Sequence, residues 1–244
     1  VAKNLSVFQP ERVRDHSSLE VLKSLHPDLM VVVAYGQILS PAVLAIPPRG
    51  CVNVHASLLP KFRGAAPIAR AILEGETRTG VTTMLMDPGM DTGPILLTAE
   101  TSVAESDTQG TLHDRLARMG ARLLGQTLEG WEKGTLPPIP QDPSLATYAP
   151  KIQKEEGRIN WQTPARQLFN LVRAFDPWPG AFTVWAGRIL KLFQPRPLEE
   201  EAKEAPGTVA QTSATGLRIA TSDGYLLIRE LQLANRPRMG VSEF

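Results

Sequence analysis

The sequence predicts an α/β, Rossmann-like domain with a mostly parallel sheet, followed by a small OB-like β-barrel domain. In the first half, apolar strand-like runs alternate with helix-like segments, a pattern typical of an open sheet covered by helices on both faces. Near the middle, five prolines lie within residues 134–150 and favour a stiff linker. After them, short β-rich runs recur at near-regular spacing, as in small barrels. We therefore expect domains at residues 1–133 and 151–244.

The elements of the first domain follow from hydrophobic periodicity. Residues 28–34 consist of Asp28 followed by six apolar residues, the pattern of a strand buried on both faces of a parallel sheet. Further strands are predicted at residues 50–55, 79–86 and 94–103, and helices at residues 17–25, 41–46, 67–74 and 108–131. The chain has no Gly-x-Gly-x-x-Gly fingerprint, so the pattern does not support a dinucleotide cofactor.

The second domain is predicted to contain one helix and several short strands. The helix covers residues 164–175, where leucine and valine recur at helical spacing. The strands are predicted at residues 158–161, 181–185, 189–194, 207–211, 216–221 and 225–232.

Composition sets limits without choosing a function. The 244 residues carry a net charge of +1, and 42% of them are hydrophobic, which allows a sizeable core. No stretch approaches the roughly 20 apolar residues of a membrane span. The single cysteine, Cys51, excludes an internal disulfide and a zinc site built on cysteines.

Polar side chains mark the end of one predicted strand. In the run from Cys51 to His55, alternation places Asn53 and His55 together on one face and the two valines on the other. Open α/β sheets bind their ligands at the carboxyl ends of strands. The competing interpretation is an ordinary polar strand end that faces solvent.

Two loops beside this strand favour a binding site. Residues 56–67 form a partly apolar loop rich in glycine and proline, and residues 87–93 carry two aspartates and two glycines after another strand. Apolar loops at a sheet edge are unusual unless they bind something. Asp87 is also suited to accept hydrogen bonds from backbone amides in its turn.

These segments resemble the folate-dependent formyltransferase family. The resemblance rests on the run from Asn53 to Pro60, on Arg63-Gly64, and on the loop from Asp87 to Gly93. It implies the formyltransferase fold, 10-formyltetrahydrofolate as formyl donor, no metal, and catalytic roles for Asn53, His55 and Asp91. It further implies a folate pocket formed by Ala34, Tyr35, Gly36, Ile38, Ser57, Leu58, Leu59, Pro60 and Asp87.

The chemistry of formyl transfer calls for these residue types. An amine attacks an amide-like carbonyl, and the tetrahedral intermediate carries an oxyanion that needs hydrogen-bond donors. Asn53 and a protonated His55 can supply them, while Asp91 favours the charged imidazole and can accept the proton of the amine, directly or through water. Cys51 is not required as a nucleophile, and we expect it to be a packing residue.

The rest of the chain resembles the members of the family that act on tRNA. Similar segments are residues 63–68, 86–93, 146–152, 155–161 and 173–181. The resemblance implies that the acceptor is methionyl-initiator tRNA and that the C-terminal domain binds it. From residue 151 onward the chain holds 13 Lys/Arg and 10 Asp/Glu, a mildly basic balance that suits phosphates. The candidate tRNA contacts are Arg63, Lys151, Lys154, Arg158 and Arg173.

Several alternatives stay open. The same site suits a domain that discharges 10-formyltetrahydrofolate to water, as in hydrolases and dehydrogenase-associated domains, or a sugar-nucleotide formyltransferase. The resemblance also implies that about 60 residues, enough for the first strand and helix of the fold, precede the chain and that the extreme C-terminus is absent. It implies a monomer without membrane attachment, in the bacterial cytoplasm or, if eukaryotic, an organellar matrix.

Overall fold

A computed structural model describes residues 5–198 and 200–244. The helices are α1 (His16–Ser24), α2 (Pro41–Leu44), α3 (Pro67–Leu73), α4 (Gln109–Glu132) and α5 (Ala165–Ala174). The strands are β1 (Met30–Val32), β2 (Cys51–His55), β3 (Arg78–Leu85), β4 (Ile95–Ser102), β5 (Phe182–Trp185), β6 (Arg188–Leu198), β7 (Val209–Ser213), β8 (Gly216–Ala220), β9 (Tyr225–Leu233) and β10 (Met239–Gly240). The predicted helices are confirmed, with ends that differ by one or two residues.

The first sheet has the order β1-β2-β3-β4 and is mixed. Strand β1 runs parallel to β2, with Val32 paired to Asn53, whereas β2 and β3 are antiparallel. The prediction of a mostly parallel sheet is therefore wrong for β3. A parallel return needs a crossover long enough to bring the chain back to the start of the strand. Helix α3 has only seven residues, a length of about 10 Å, and does not provide that return.

Strand β1 is shorter and more exposed than the sequence predicts. Residues 28–34 were expected to be buried on both faces, but the strand covers only three residues. Val31 and Val33 are 41% and 56% exposed. Among the described strands, β1 lies at one end of the sheet order, so one of its edges has no described strand beside it.

The second sheet is antiparallel throughout, with the order β5-β6-β9-β8-β7 and with β10 paired to β9. Its apolar face and helix α5 share one core, which includes Leu168, Phe169, Leu192, Leu226 and Ile228. The strand predicted at residues 158–161 is absent, because only Arg158 pairs, in a single bridge to Phe182. The OB-like description of this region stays a prediction.

The chain forms two compact units. The first comprises residues 1–65, 80–99 and 118–148, and the second comprises residues 66–79, 100–117 and 149–244. The predicted domains, residues 1–133 and 151–244 with a linker between them, stay a prediction. Residues 134–148 of that linker belong to the first compact unit. Within that unit, Ile139 exchanges backbone hydrogen bonds with Ile95 at the start of β4. None of the helices in the described parts of the chain has the length and apolar character to cross a membrane.

Candidate active site

Asn53, His55 and Asp91 lie together at strand β2. Asn53 Nδ2 donates to Asp91 Oδ1 over 3.4 Å, and Asp91 Oδ2 lies 3.6 Å from His55 Nδ1. The backbone amide of Gly64 donates to Asp91 Oδ2 over 2.8 Å. The His55 and Asp91 side chains are only 7% and 17% exposed, so the carboxylate is largely shielded and its hydrogen bonds are strengthened by the low local dielectric.

The His55 ring is oriented by a backbone carbonyl. Its Nε2 atom lies 2.9 Å from the carbonyl oxygen of Phe62. Because a carbonyl can only accept, Nε2 carries the proton in this hydrogen bond. The Nδ1 atom then faces the Asp91 carboxylate, and a ring protonated on both nitrogens would have an acceptor at each. The arrangement is therefore suited to hold and release a proton at Nδ1.

The loop that follows β2 is held by hydrogen bonds to strand β3. Thr82 Oγ1 donates to the Ser57 carbonyl over 2.7 Å and accepts from the Leu59 amide over 3.1 Å. Ser57 Oγ donates to the Lys61 carbonyl over 2.6 Å. Phe62 has a φ of +60°, a strained backbone value that persists only where neighbouring contacts enforce it. These bonds fix the carbonyl that orients His55.

The loop from Asp87 to Gly93 is shaped by its own side chains. Asp87 Oδ1 accepts from the Gly89 amide over 3.0 Å and from Thr92 Oγ1 over 2.6 Å, which confirms the predicted role of Asp87 in the turn. Asp91 has a φ of +53°. A Cβ on Gly93 would lie 1.9 Å from the Leu85 carbonyl oxygen, so only glycine fits there. The loop thus returns Asp91 toward β2.

Sequence reasoning missed Gln141. Its Nε2 atom donates to the carbonyls of Asp91 and Gly93 over 2.8 and 2.7 Å, and its Oε1 atom accepts from Arg63. Nearby, Thr147 binds the amides of Phe62 and Arg63 through its Oγ1 and carbonyl oxygens. Both residues lie in the predicted linker, whose prolines favoured a spacer. No local sequence signal marks contacts between residues 78 positions apart.

The segment after β1 begins at the same edge of the sheet as the segment after β2. The two strands are parallel and Val32 pairs with Asn53, so the chain leaves β1 at the edge where His55 ends β2. Here Ala34, Tyr35, Gly36 and Ile38 are all exposed, and the Ile38 side chain is 85% exposed. Ser57 is fully buried and Leu59 nearly so, while Leu58 and Pro60 are half-buried.

The predicted tRNA contacts fall into two groups. Lys151, Lys154 and Arg158 are exposed and can reach a large partner. Arg63 and Arg173 are 4% and 5% exposed. Arg173 Nη1 donates to the Ala104 and Asp107 carbonyls over 3.0 Å each, so it serves the packing of the second unit. Neither buried guanidinium is presented to a phosphate.

Cys51 is a packing residue. It is 1% exposed, and burial raises the pKa of its thiol to about 11. A thiol that remains protonated at neutral pH is a poor nucleophile. In the described parts of the chain, His, Cys, Asp and Glu do not gather in groups of three that could hold a metal ion.

The fold and this constellation define a class of protein. Residues 1–128 match the Formyl transferase family model and residues 151–244 match the model of the Formyl transferase C-terminal domain. The chain belongs to the formyl transferase family. Among its relatives are two methionyl-tRNA formyltransferases. The enzyme from Pelobacter propionicus is 52% identical over all 244 residues, and the match covers 76% of that protein. The enzyme from Clostridioides difficile is 44% identical over all 244 residues, and the match covers 79% of that protein.

Solved structures share the fold at lower identity. HypX from Aquifex aeolicus, crystallised with tetrahydrofolic acid, has a TM-score of 0.71 at 22% identity, over 92% of this chain and 39% of that one. An N-formyltransferase from Helicobacter canadensis was crystallised with folinic acid and dTDP-3-aminofucose. Its structure has a TM-score of 0.61 at 22% identity, over 75% of this chain and 66% of that one. At this identity the likeness concerns the fold.

Proposed function

We propose that this protein transfers the formyl group of 10-formyltetrahydrofolate to the amino group of methionyl-initiator tRNA. The observation that carries the proposal is the Asp91 carboxylate, whose two oxygens lie 3.4 Å from Asn53 Nδ2 and 3.6 Å from His55 Nδ1. Identity of 43–52% to methionyl-tRNA formyltransferases over at least 98% of the chain supports the choice of acceptor.

Asn53, His55 and Asp91 each have a separate role in the proposed reaction. The amine attacks the formyl carbon, a new C–N bond forms, and the carbonyl oxygen becomes an oxyanion. The Asn53 amide donates to that oxygen. Nδ1 of the protonated His55 ring is the second donor, because Nε2 is bound to the Phe62 carbonyl and Nδ1 lies 3.6 Å from Asp91, beyond hydrogen-bond distance. The Asp91 carboxylate accepts the amine proton, directly or through water. The oxyanion then collapses and the bond between the formyl carbon and N10 of the folate breaks. N10 takes up the proton that Asp91 accepted from the amine, directly or through water, so that protons and charge balance.

We assign the folate pocket to the two loops that flank β2. The support is the parallel register of β1 against β2, because the chain leaves β1 at the edge that holds His55, two residues before Ala34. The exposed apolar side chains of Tyr35 and Ile38 suit a flat heterocycle, since ligand pockets are lined mainly by apolar groups. Ser57 to Pro60 would form the opposite wall, with Asp87 at the turn that closes the site.

We assign the tRNA contacts to the exposed cations near the start of residues 149–244, the last segment of the second unit. Lys151, Lys154 and Arg158 lie within eight residues of one another and all three are exposed. Contacts with phosphates release counterions, so affinity should fall steeply with salt. Arg63 and Arg173 take no part in this assignment, because their side chains are buried.

The test is an acceptor comparison with the full chain. Formyl-labelled 10-formyltetrahydrofolate is incubated with methionyl-initiator tRNA, with uncharged initiator tRNA, with an amino-sugar nucleotide, or without acceptor. We expect label in methionyl-tRNA and little free formate. Release of formate at the same rate with and without tRNA would favour a hydrolase. Transfer of the label to the sugar nucleotide would favour a sugar N-formyltransferase.

A charge-reversal pair tests the tRNA surface in the same assay. The Lys151→Glu/Lys154→Glu variant should raise the KM for tRNA, while the KM for folate stays unchanged. The slope of log affinity for tRNA against log salt concentration should become shallower by about two. Lys133→Glu, at an exposed lysine of the first unit, is the matched control. An equal rise of the KM for tRNA in both variants would contradict the assignment of tRNA contacts to Lys151 and Lys154.

A further inference from the structure

Gln141 connects a buried arginine to the loop that carries Asp91. Its Oε1 atom accepts from Arg63 Nε over 3.0 Å and from Arg63 Nη2 over 2.7 Å. Its Nε2 atom donates to the carbonyl oxygens of Asp91 and Gly93 over 2.8 and 2.7 Å. All the hydrogen-bonding atoms of the Gln141 amide group are therefore in use.

The orientation of this amide is determined by its partners. A guanidinium has only donors and a carbonyl has only acceptors, so the oxygen must face Arg63 and the nitrogen must face the loop. Arg63 is 4% exposed, and a buried charge that lost its acceptor would be costly. Arg63 therefore locks Gln141 in the orientation that binds the loop.

The loop needs such a lock because of the backbone at Asp91. Asp91 has a φ of +53°, a region that few non-glycine residues occupy without support from the surrounding structure. The two carbonyls that Gln141 binds lie at Asp91 itself and two residues later. The Asp91 carboxylate accepts a hydrogen bond from the Gly64 amide at 2.8 Å and a long one from Asn53 at 3.4 Å. These bonds hold the side chain, whereas Gln141 holds the backbone carbonyls.

We propose that Gln141, oriented by Arg63, is a positioning residue that holds Asp91 against His55. It does not touch the reacting atoms and acts through the Asp91 backbone. The inference rests on the proposed function for its kinetic consequence, but its structural consequence at His55 holds whichever acceptor the enzyme uses.

The test is the Gln141→Glu variant of the full chain. Glutamate has the same length and can accept from Arg63, but an ionised carboxylate cannot donate to two carbonyls. We expect kcat for formyl transfer to fall by about 10- to 100-fold, the scale of a misplacement near 1 Å, with the KM for both substrates little changed. Gln211→Glu, the same change at an exposed position of β7, should leave kcat unchanged.

A second readout separates this inference from the proposed function. The ¹⁵N resonances of the His55 ring report whether a carboxylate faces Nδ1. In Gln141→Glu they should move toward those of Asp91→Asn, and in Gln211→Glu they should not move. If the wild-type chain formylates no methionyl-tRNA, the proposed function fails and these resonances alone decide the role of Gln141.

Wild-type kcat and wild-type His55 resonances in Gln141→Glu would overturn the positioning role. Should that variant not fold, Gln141→Met with Arg63→Met removes both donors at similar length without leaving a buried guanidinium unpaired, and the same two readouts apply to it. A loss that appears only as a raised KM would indicate a contact with substrate and would also overturn the inference.

Discussion

The carboxylate of Asp91 lies 3.6 Å from Nδ1 of His55, although the strand before Asp91 runs antiparallel to the strand that ends at His55. Strand β3 carries the chain away from His55, since Thr82 pairs with His55 and Leu85 pairs with Val52 three residues earlier. The loop from residue 86 to residue 94 must therefore fold back across β2. The position of Asp91 depends on that loop.

Gly93→Ala tests the tight packing of this loop. The added Cβ would lie 1.9 Å from the Leu85 carbonyl oxygen, so the backbone must shift. We expect a loss of about 1–3 kcal/mol in the free energy of unfolding, measured by urea denaturation, together with reduced kcat. Gly125→Ala, in α4 with nothing within 4 Å of the added Cβ, should gain up to about 1 kcal/mol. Equal stability of the two variants would show that the loop tolerates a side chain.

Asn53→Ala tests the donor on strand β2. If the Asn53 amide stabilises the oxyanion, kcat should fall by about 10²- to 10³-fold. The free energy of unfolding should change little, because among the described residues the Asn53 side chain donates one bond, and that bond is long, at 3.4 Å. Asn53→Asp places a second carboxylate beside Asp91 and should lower kcat at least as far. Steady-state kinetics and urea denaturation check both variants, and a kcat within a few-fold of the wild type in Asn53→Ala would exclude this role.

Cys51 should be unreactive in the folded protein. It is 1% exposed, and burial raises its pKa to about 11, so at pH 8 the thiol is both covered and protonated. Iodoacetamide should label the protein only in urea, and activity should survive treatment of the folded form. Rapid labelling with loss of formyl transfer would instead place Cys51 in the site.

The ion pair of Arg70 with Glu156 should contribute to stability above acidic pH. Arg70 donates two hydrogen bonds to the carboxylate, at 2.7 and 3.1 Å, and these bonds lower the pKa of Glu156 below its ordinary value of 4.5, against a smaller opposing effect of burial. The contribution is therefore present above the unfolded pKa and lost as pH falls through the folded pKa.

Arg70→Gln measures that contribution. Because the Glu156 side chain is 34% exposed, solvent screening limits the loss to about 0.5–1 kcal/mol at pH 7. The free energies of unfolding of variant and wild type, measured by urea denaturation, should converge as pH falls through the folded pKa of Glu156, which lies below 4.5. Arg78→Gln, which removes an exposed pair with Glu100, should show almost no loss at either pH. A loss in Arg70→Gln that is independent of pH would point to packing.

The sequence predicted the parts of the site that follow from local periodicity and motif. Alternation along β2 placed Asn53 and His55 on one side, and the motif singled out Asp91. The direction of β3 was not predictable in this way, because it depends on how far α3 carries the chain. The roles of Arg63 and Gln141 arise from a tertiary contact across 78 positions, which no periodicity records.

Burial explains the two arginines that were assigned to tRNA. In the sequence, Arg63 and Arg173 are indistinguishable from exposed cations such as Lys151. In the structure, the Arg63 guanidinium binds Gln141, and the Arg173 guanidinium binds the carbonyls of Ala104 and Asp107. The difference depends on neighbours supplied by distant segments.

The most direct measurement is formylation of methionyl-initiator tRNA by the full chain and by its His55→Ala variant, with 10-formyltetrahydrofolate as donor. We expect the wild type to formylate the tRNA, and the variant to lose at least about 10²-fold in kcat, the scale of a general acid–base group, while it still binds tRNA. A variant that formylates at the wild-type rate, or a wild type that releases formate without regard to tRNA, would contradict the assignment of this site to formyl transfer.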